Sequence, residues 1–170
     1  MNNRRSFIVG IKSYKLLGKE KLFLKRYKPW GVILFARNIK SINQTSRLTS
    51  SIRKLFNDKK YPILIDQEGG RVNRLKNIIS LDQYTSDYFG SLFVKNVKEF
   101  KINFKFFVDK TSHLLKLMGL NINTVPVLDL NIKGSSNIIG DRSFSNDPKI
   151  VSKIGDYCIN YFHQNGIGTV

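Results

Sequence analysis

The chain has 170 residues, of which 41% are hydrophobic, enough for one domain with a packed core and too many for a disordered chain. Its net charge of +17 resembles the electrostatic footprint of phosphate binding, but the 29 Lys and Arg residues are spread along the chain in runs no longer than two. There is no zinc-finger spacing and no aromatic RNA-binding signature, so a solvated basic surface is favoured over a nucleic-acid site.

The sequence also bears on the cellular compartment. No apolar run approaches the ~20 residues of a membrane span. The residues after Met1–Arg5 form too short an apolar run for a signal peptide, and no small-residue cleavage site follows it. The single cysteine, Cys158, excludes an internal disulfide and fits a reducing compartment. These features predict a soluble cytoplasmic protein that does not interact with a membrane.

The first half of the chain alternates apolar runs with a helical pattern. Strands are predicted over Phe7–Ile11 and Gly31–Ala36, because near-continuous apolar runs are typical of strands covered on both faces. Asn43 can cap a helix over Gln44–Phe56, whose apolar residues form one stripe. A third strand is predicted over Pro62–Ile65.

The second half begins with a stretch that lacks clear periodicity, Asn77–Lys101, which we interpret as a long loop with a short helix. A helix over Phe104–Met118 and a strand over Ile122–Leu128 follow. Asp147-Pro148 is a strong helix start, with an N-cap residue before a proline at the first helical position. After that helix, Ile167–Val170 has the pattern of the beginning of a fifth strand.

This alternation is typical of βαβ units around a parallel sheet, and it predicts an α/β protein. A βαβ unit takes ~30 or more residues, and a complete (β/α)₈ barrel takes ~250. The 170 residues therefore supply either about half of such a barrel or a complete open sheet with helices on both faces. Composition alone does not separate these two architectures.

Three of the predicted strands end in polar residues. The second ends at Arg37-Asn38, the third at Asp66-Gln67-Glu68 and the fourth at Asp129. In parallel α/β proteins, functional groups lie beyond the carboxyl ends of the strands. The sequence therefore predicts that these side chains lie close together at one edge of the sheet.

The segments that follow these strands add arginines to the same edge. Gly69-Gly70 allows a sharp turn and a close approach of a ligand to the backbone, and Arg71 and Arg74 follow it. The loop Ile139–Phe144 adds further charged residues. Carboxylates and guanidinium groups together suit a ligand rich in hydroxyl groups, and they also suit an ion-pair network between loops. The residues alone leave both interpretations open.

Four motifs, in this order along the chain, carry a resemblance to a known family. They are K-P-W-G-V-I-L-F-A-R-N (28–38), I-D-Q-E-G-G-R-V-N-R-L (65–75), P-V-L-D (126–129) and I-G-D-R-S-F (139–144). The chain resembles the bacterial glycoside hydrolase family 3 β-N-acetylhexosaminidases of peptidoglycan recycling, and the resemblance covers nearly its whole length. The D-Q-E-G-G-R-V-x-R string is the most specific of these motifs.

The resemblance implies a partial (β/α)₈ TIM barrel of about four to five βα units, with residues 1–170 forming a single, incomplete N-terminal domain. It implies a retaining hydrolase that removes terminal β-linked N-acetylglucosamine from peptidoglycan fragments and needs no cofactor or metal. Substrate-binding roles are implied for Asp66, Arg74 and Arg142. Supporting roles that hold the loops in place are implied for Glu68, Arg71 and Asp129.

The catalytic groups of the resembled family have no match in this sequence. That family takes its acid/base histidine from a K-H-F-P-G-H-G…D-S-H stretch after the fifth strand, and its nucleophile from an aspartate on a late strand. The two histidines here, His113 and His163, are predicted to be structural residues of helices, and Cys158 to be a core residue. No catalytic residue and no metal-ligand cluster is predicted.

Half a barrel would leave the edges of its sheet unpaired, because barrel closure is what removes them. We therefore expect a second polypeptide to supply the missing half, or the chain to be the remnant of a broken gene, or two copies to associate. The alternative functions are a non-catalytic sugar-binding or scaffold module, half of a split enzyme and, less favoured, a basic nucleic-acid-binding domain.

Overall fold

The computed structural model describes residues 4–132, 134 and 138–170. Strands alternate with helices, and two consecutive helices separate the third strand from the fourth. The strands are β1 (Arg5–Gly10), β2 (Pro29–Leu34), β3 (Ile63–Ile65), β4 (Ile122–Asn123) and β5 (Gly168–Thr169). The α-helices are α1 (Gly18–Tyr27), α2 (Ile42–Phe56), α3 (Ser86–Lys95), α4 (Val97–Leu117) and α5 (Pro148–Gln164), and short 3₁₀ helices cover Ala36–Asn38 and Gly140–Arg142.

All neighbouring strands pair in parallel, in the order β1-β2-β3-β4-β5. In the described residues β1 and β5 are the two edges of an open sheet. Sequential order is the arrangement of consecutive βα units in a (β/α)₈ barrel, whereas a doubly wound sheet reverses its strand order partway. The prediction of an α/β protein with four to five units of a partial (β/α)₈ barrel is confirmed.

Two asparagine side chains extend the short pairing between β3 and β4. The Oδ1 atom of Asn121 accepts the N–H of Ile63 at 2.8 Å, and its Nδ2 donates to the carbonyl of Tyr61 at 3.2 Å. The side chain of Asn123 exchanges two 2.9 Å hydrogen bonds with the backbone N–H and carbonyl of Gln67. Buried backbone groups need partners, and these amides supply them where the strands themselves end.

The strand bounds differ slightly from those predicted. β2 begins at Pro29 rather than Gly31, and β4 covers only the first two residues of the predicted strand Ile122–Leu128. Pro126 has no N–H to donate, so it cannot continue the β4 ladder.

The helix starts follow their capping residues. Asp147 caps α5 as predicted, and Pro148 occupies the first helical position. α2 begins at Ile42, earlier than predicted, because Ser41 rather than Asn43 is its N-cap residue; the Ser41 hydroxyl accepts the N–H of Gln44 at 3.3 Å. Both Ser and Asn are strong N-cap residues, so two candidates this close cannot be separated from the sequence alone.

The stretch Asn77–Lys101 contains more helix than predicted. It holds all of α3, and α4 begins at Val97 rather than at Phe104. The Asn96 side chain caps α4 by accepting two backbone N–H groups of its first turn. The sequence does not predict α1 at all, because Leu24 is its one buried residue and no apolar stripe forms.

An aromatic cluster fills the space between α3, α4 and α5. The rings of Phe89 and Phe104 meet edge to face with centroids 4.8 Å apart, and Phe104 also contacts Phe144 in the loop before α5. Next to this contact, Gly90 of α3 lies against the Phe144 backbone, where a Cβ atom on Gly90 would stand 1.6 Å from the Phe144 carbonyl oxygen. The loop that precedes α5 is therefore held directly on α3.

Several large apolar side chains near the two ends of the strand order stay exposed. Ile8 on β1 is 43% exposed, Leu22 on α1 is 71% exposed, and Leu128, after β4, is 54% exposed. In the described part of the chain no helix is both long enough and apolar enough to cross a membrane.

The contact between α3 and the loop predicts the effect of a single added methyl group. Gly90→Ala should destabilise the fold by about 2 kcal/mol or more, because the new Cβ would overlap a backbone atom that cannot move alone. Gly18→Ala is the matched control. Gly18 lies at the start of α1, where an added Cβ atom would meet no other atom within 4 Å, so the substitution should be neutral or stabilising by up to about 1 kcal/mol. Urea unfolding measures both, and equal stabilities of the two variants would contradict this packing.

Candidate binding site at the carboxyl ends of the strands

Asp66 leaves the sheet directly after β3 and has two partners. Its Oδ1 atom accepts the hydroxyl of Thr124 at 2.5 Å, and its Oδ2 atom lies 3.3 Å from Nη2 of Arg74. Thr124 follows β4, so neighbouring strands supply the carboxylate and the hydroxyl. The Asp66 side chain is 24% exposed, which leaves part of the carboxylate open to solvent.

Arg74 is held by three groups besides its backbone neighbours in the chain. Its N–H donates to Oε1 of Gln67 at 2.9 Å, its guanidinium pairs with Asp66, and that same guanidinium lies 5.8 Å from the ring centre of Phe35 at the end of β2. Gln67 Oε1 also accepts the N–H of Leu75 at 3.2 Å. The buried amide of Gln67 therefore holds the segment that carries Arg74.

Glu68 and Arg142 form a two-pronged ion pair. Nε and Nη2 of Arg142 each donate to one carboxylate oxygen of Glu68 at 2.8 Å. The Glu68 side chain is 8% exposed and that of Arg142 is 26% exposed, so little water screens the pair. The hydrogen bonds that Arg142 donates to Glu68 raise the pKa of Arg142, and the charges of Glu68, Asp129 and Asp66 raise it further. Arg142 is thus firmly cationic among three carboxylates.

Arg71 holds the loop that carries Arg142. Its Nε donates to Asp141 at 2.8 Å, and its Nη2 donates to the carbonyls of Ile138 and Ile139 at 2.6 and 3.0 Å. These contacts fix the backbone just before Arg142.

Asp129 contacts the far side of the same loop. Its backbone carbonyl accepts the hydroxyl of Ser143 at 2.6 Å. Its carboxylate acts on Arg142 through charge.

The double glycine forms the predicted turn. Its missing side chains leave room for another part of the protein rather than for a ligand. Gly69 and Gly70 both have positive φ angles, 101° and 52°. A Cβ atom on Gly69 would stand 2.2 Å from the carbonyl oxygen of Tyr84, and one on Gly70 would stand 2.8 Å from the side chain of Thr85. The segment before α3 therefore occupies the space that the sequence analysis allotted to a ligand.

We call the convergent side chains Asp66, Glu68, Arg74, Thr124 and Arg142 the rim site. The structure brings together Asp66, Arg74 and Arg142, the three residues predicted to bind a ligand. The sequence did not predict the contact of Thr124 with Asp66 or the role of Gln67 in holding the segment that carries Arg74. The sequence does indicate an inward position for Gln67. Successive side chains of an extended chain point in opposite directions, and Gln67 lies between two acidic residues that face outward. Nothing in the local pattern singles out Thr124, which meets Asp66 only through the pairing of β3 with β4.

The other reactive side chains have structural surroundings. His113 is exposed on α4, and His163 lies in the last turn of α5, where its Nε2 is 3.0 Å from the Thr169 hydroxyl. Cys158 is buried, and burial raises its pKa to about 12, so it is a core residue rather than a nucleophile. Among the described residues, no cluster of His, Cys, Asp and Glu is arranged to hold a metal ion.

The parallel strands in sequential order, with paired carboxylates and guanidinium groups at their carboxyl ends, are the features of a barrel-type α/β protein. The chain belongs to the family described as the glycosyl hydrolase family 3 N-terminal domain, whose model matches residues 12–170.

Individual relatives match over most of this chain. It is 37% identical to a beta-hexosaminidase of Hydrogenovibrio crunogenus over 141 residues, which is 82% of this chain and 38% of the relative. It is 31% identical to the beta-hexosaminidase of Tolumonas auensis over 160 residues, which is 94% of this chain and 46% of that protein. The chain thus spans less than half the length of these two curated relatives.

The crystal structure of NagZ from Neisseria gonorrhoeae in complex with N-trifluoroacetyl-D-glucosamine superimposes with a TM-score of 0.87 at 27% identity. The superposition covers 98% of this chain and 49% of that one. A family 3 beta-N-acetylglucosaminidase from Paenibacillus, at 22% identity and a TM-score of 0.82, shows the same fold.

The two ion pairs of this region should differ in their contribution to stability. Glu68→Gln removes the charge from a nearly buried partner of Arg142 and should lower the free energy of unfolding by about 2 kcal/mol. Asp141→Asn, in the exposed pair with Arg71, should lower it by less than about 1 kcal/mol, since water screens that pair. Chemical denaturation of both variants measures this order, and the reverse order would contradict the account of the site.

Proposed function

We propose that these 170 residues are the sugar-binding part of a β-N-acetylhexosaminidase. The observation that supports this most strongly is the convergence of Asp66, Arg74 and Arg142 beyond the carboxyl ends of the strands, in a chain of glycosyl hydrolase family 3. In that proposal residues 1–170 are part of one barrel domain. A single buried cysteine fits action in the cytoplasm, a reducing compartment.

The chemistry of the rim site fits a sugar. The Asp66 carboxylate accepts hydrogen bonds only, and its exposed part would accept them from sugar hydroxyl groups. Arg74 would donate from the side, with the Phe35 ring behind it. Nε and Nη2 of Arg142 donate to Glu68. Within the described residues no partner is seen for its Nη1, which would donate a hydrogen bond to the sugar. Glu68, Arg71 and Asp129 then hold the loops in place.

The proposed substrate is terminal β-linked N-acetylglucosamine in peptidoglycan fragments. Retaining hydrolysis needs a nucleophile and an acid/base group on opposite sides of the bond. The 170 residues contain no K-H-F-P-G-H-G stretch, and their two histidines lie on helices rather than at the rim site. We therefore propose that this chain alone binds the sugar without cleaving its bond.

A second polypeptide segment would supply the reacting groups in the active enzyme. The exposed apolar side chains Ile8, Leu22 and Leu128 support this part of the proposal. Within the described residues the outer edge of β1 has no pairing strand, which supports it as well, since exposed strand edges favour pairing with another chain.

Titration calorimetry with N-acetylglucosamine tests sugar binding. The chain should bind the sugar, and Asp66→Ala should weaken binding by tenfold or more, on the order of one lost hydrogen bond to a charged group. Asp109→Asn is the matched control, because Asp109 is also an ion-paired aspartate but lies on α4 beside Lys105. Equal affinities of the Asp66→Ala and Asp109→Asn variants would refute the proposed site.

Complementation tests whether a second polypeptide segment supplies the reacting groups that this chain lacks. The chain alone should not release the chromophore from an aryl N-acetylglucosaminide above background. Co-expression with the part of the Hydrogenovibrio crunogenus beta-hexosaminidase that the chain does not match should restore release, provided that the foreign segment covers the exposed apolar faces. Robust cleavage by the chain alone would contradict the proposal that it lacks the reacting groups.

A further inference from the structure

The hydroxyl of Thr124 makes the shorter of the two contacts to Asp66. Its Oγ1 atom lies 2.5 Å from Oδ1 of Asp66, whereas Nη2 of Arg74 lies 3.3 Å from Oδ2. A hydroxyl bonded to a carboxylate at 2.5 to 2.7 Å belongs to the strong, charge-assisted class of hydrogen bonds. The contact with Arg74 is long for an N–H to carboxylate bond, so Thr124 is the tighter constraint on this carboxylate.

The direction of this hydrogen bond is fixed by the chemistry of its partner. An ionised carboxylate has no proton to donate, so Thr124 is the donor. The Thr124 hydroxyl also lies 3.3 Å from the carbonyl of Ile65, which can only accept. Because the distance to Asp66 is far shorter, 2.5 Å, the hydroxyl proton of Thr124 points toward Asp66. The lone pairs of the Thr124 oxygen then remain as acceptors.

Thr124 stands on a part of the structure that has little freedom. Its own N–H donates to the Ile65 carbonyl at 2.9 Å, and its neighbour Asn123 is bonded twice to the backbone of Gln67. A β-branched side chain has few χ1 rotamers. The hydroxyl is therefore fixed relative to β3, and the shortest contact to Asp66 comes from the residue that follows the adjacent strand β4.

We propose that Thr124 is a positioning residue of the rim site, which fixes the plane of the Asp66 carboxylate so that its open lone pairs face the hydroxyl groups of the ligand. This inference rests on the proposed function, since it assumes that Asp66 receives a sugar. It predicts that the ligand class recognised here carries hydroxyl donors directed at Asp66. Without Thr124, the Asp66 carboxylate is free to rotate toward Arg74. Ligand binding must then order this side chain, and the lost conformational entropy weakens the affinity.

The test compares Thr124→Val, which keeps the shape but loses the hydroxyl, with Thr124→Ser, which keeps the hydroxyl. Calorimetry with N-acetylglucosamine should give about tenfold weaker binding for Thr124→Val and near wild-type binding for Thr124→Ser. Thr124→Ala carries the same test if the valine variant does not fold. Near wild-type binding by Thr124→Val or Thr124→Ala overturns the proposal.

Two further measurements separate positioning from general damage. In an Asp66→Asn background, Thr124→Val should cause no further loss, because contacting residues that act together are not additive. Deoxy analogues of N-acetylglucosamine should include one whose affinity is insensitive to Thr124→Val, namely the analogue lacking the hydroxyl that Asp66 accepts. A loss by Thr124→Val that persists in both measurements would show a merely structural role and overturn the proposal.

The outcome for Asp66→Ala separates this inference from the proposed function. If Asp66→Ala abolishes binding while Thr124→Val does not change it, the sugar site stands and the role of Thr124 is refuted. If the wild-type chain does not bind the sugar, or Asp66→Ala binds as the wild type does, both proposals fail together.

Discussion

The rim site depends on the reciprocal hydrogen bonds between the Asn123 side chain and the backbone of Gln67. These two bonds continue the pairing of β3 and β4 beyond the last residue of β3. They hold the backbone between Asp66 and Glu68, whose side chains carry the two ion pairs. With the backbone fixed there, the Gln67 side chain turns inward and binds the segment that returns with Arg74.

A second constraint comes from the charges themselves. Glu68 is almost fully buried, and an unpaired carboxylate in such a place would be costly, so the loop with Arg142 must stay close to β3. Arg71 fixes the same loop through two backbone carbonyls. The Gly90 contact with Phe144 holds the loop from its other end. Arg142 is therefore held in place by the protein itself, which in the proposed site would lower the cost of binding.

Much of this arrangement could be predicted from the sequence, and the exceptions have physical reasons. The apolar runs identified β2 and β3, and Asp147-Pro148 identified the start of α5, because burial on both faces and N-capping are local signals. α1 escaped prediction because it buries a single residue. The role of Thr124 could not be predicted, since its contact with Asp66 joins residues 58 positions apart and exists only once the strands have paired.

The family relationship and the arrangement of the rim-site residues support different parts of the proposed function. Sequence similarity shows the family and the fold, whereas the proposed sugar site is supported by the convergence of charges and by the partial exposure of the Asp66 and Arg142 side chains. The most direct test is to add N-acetylglucosamine to the ¹⁵N-labelled chain and record its amide NMR spectrum. The account predicts shifts confined to the amides around residues 66–74, 124 and 142. Shifts centred elsewhere on the chain, or no shifts at millimolar sugar, would contradict it.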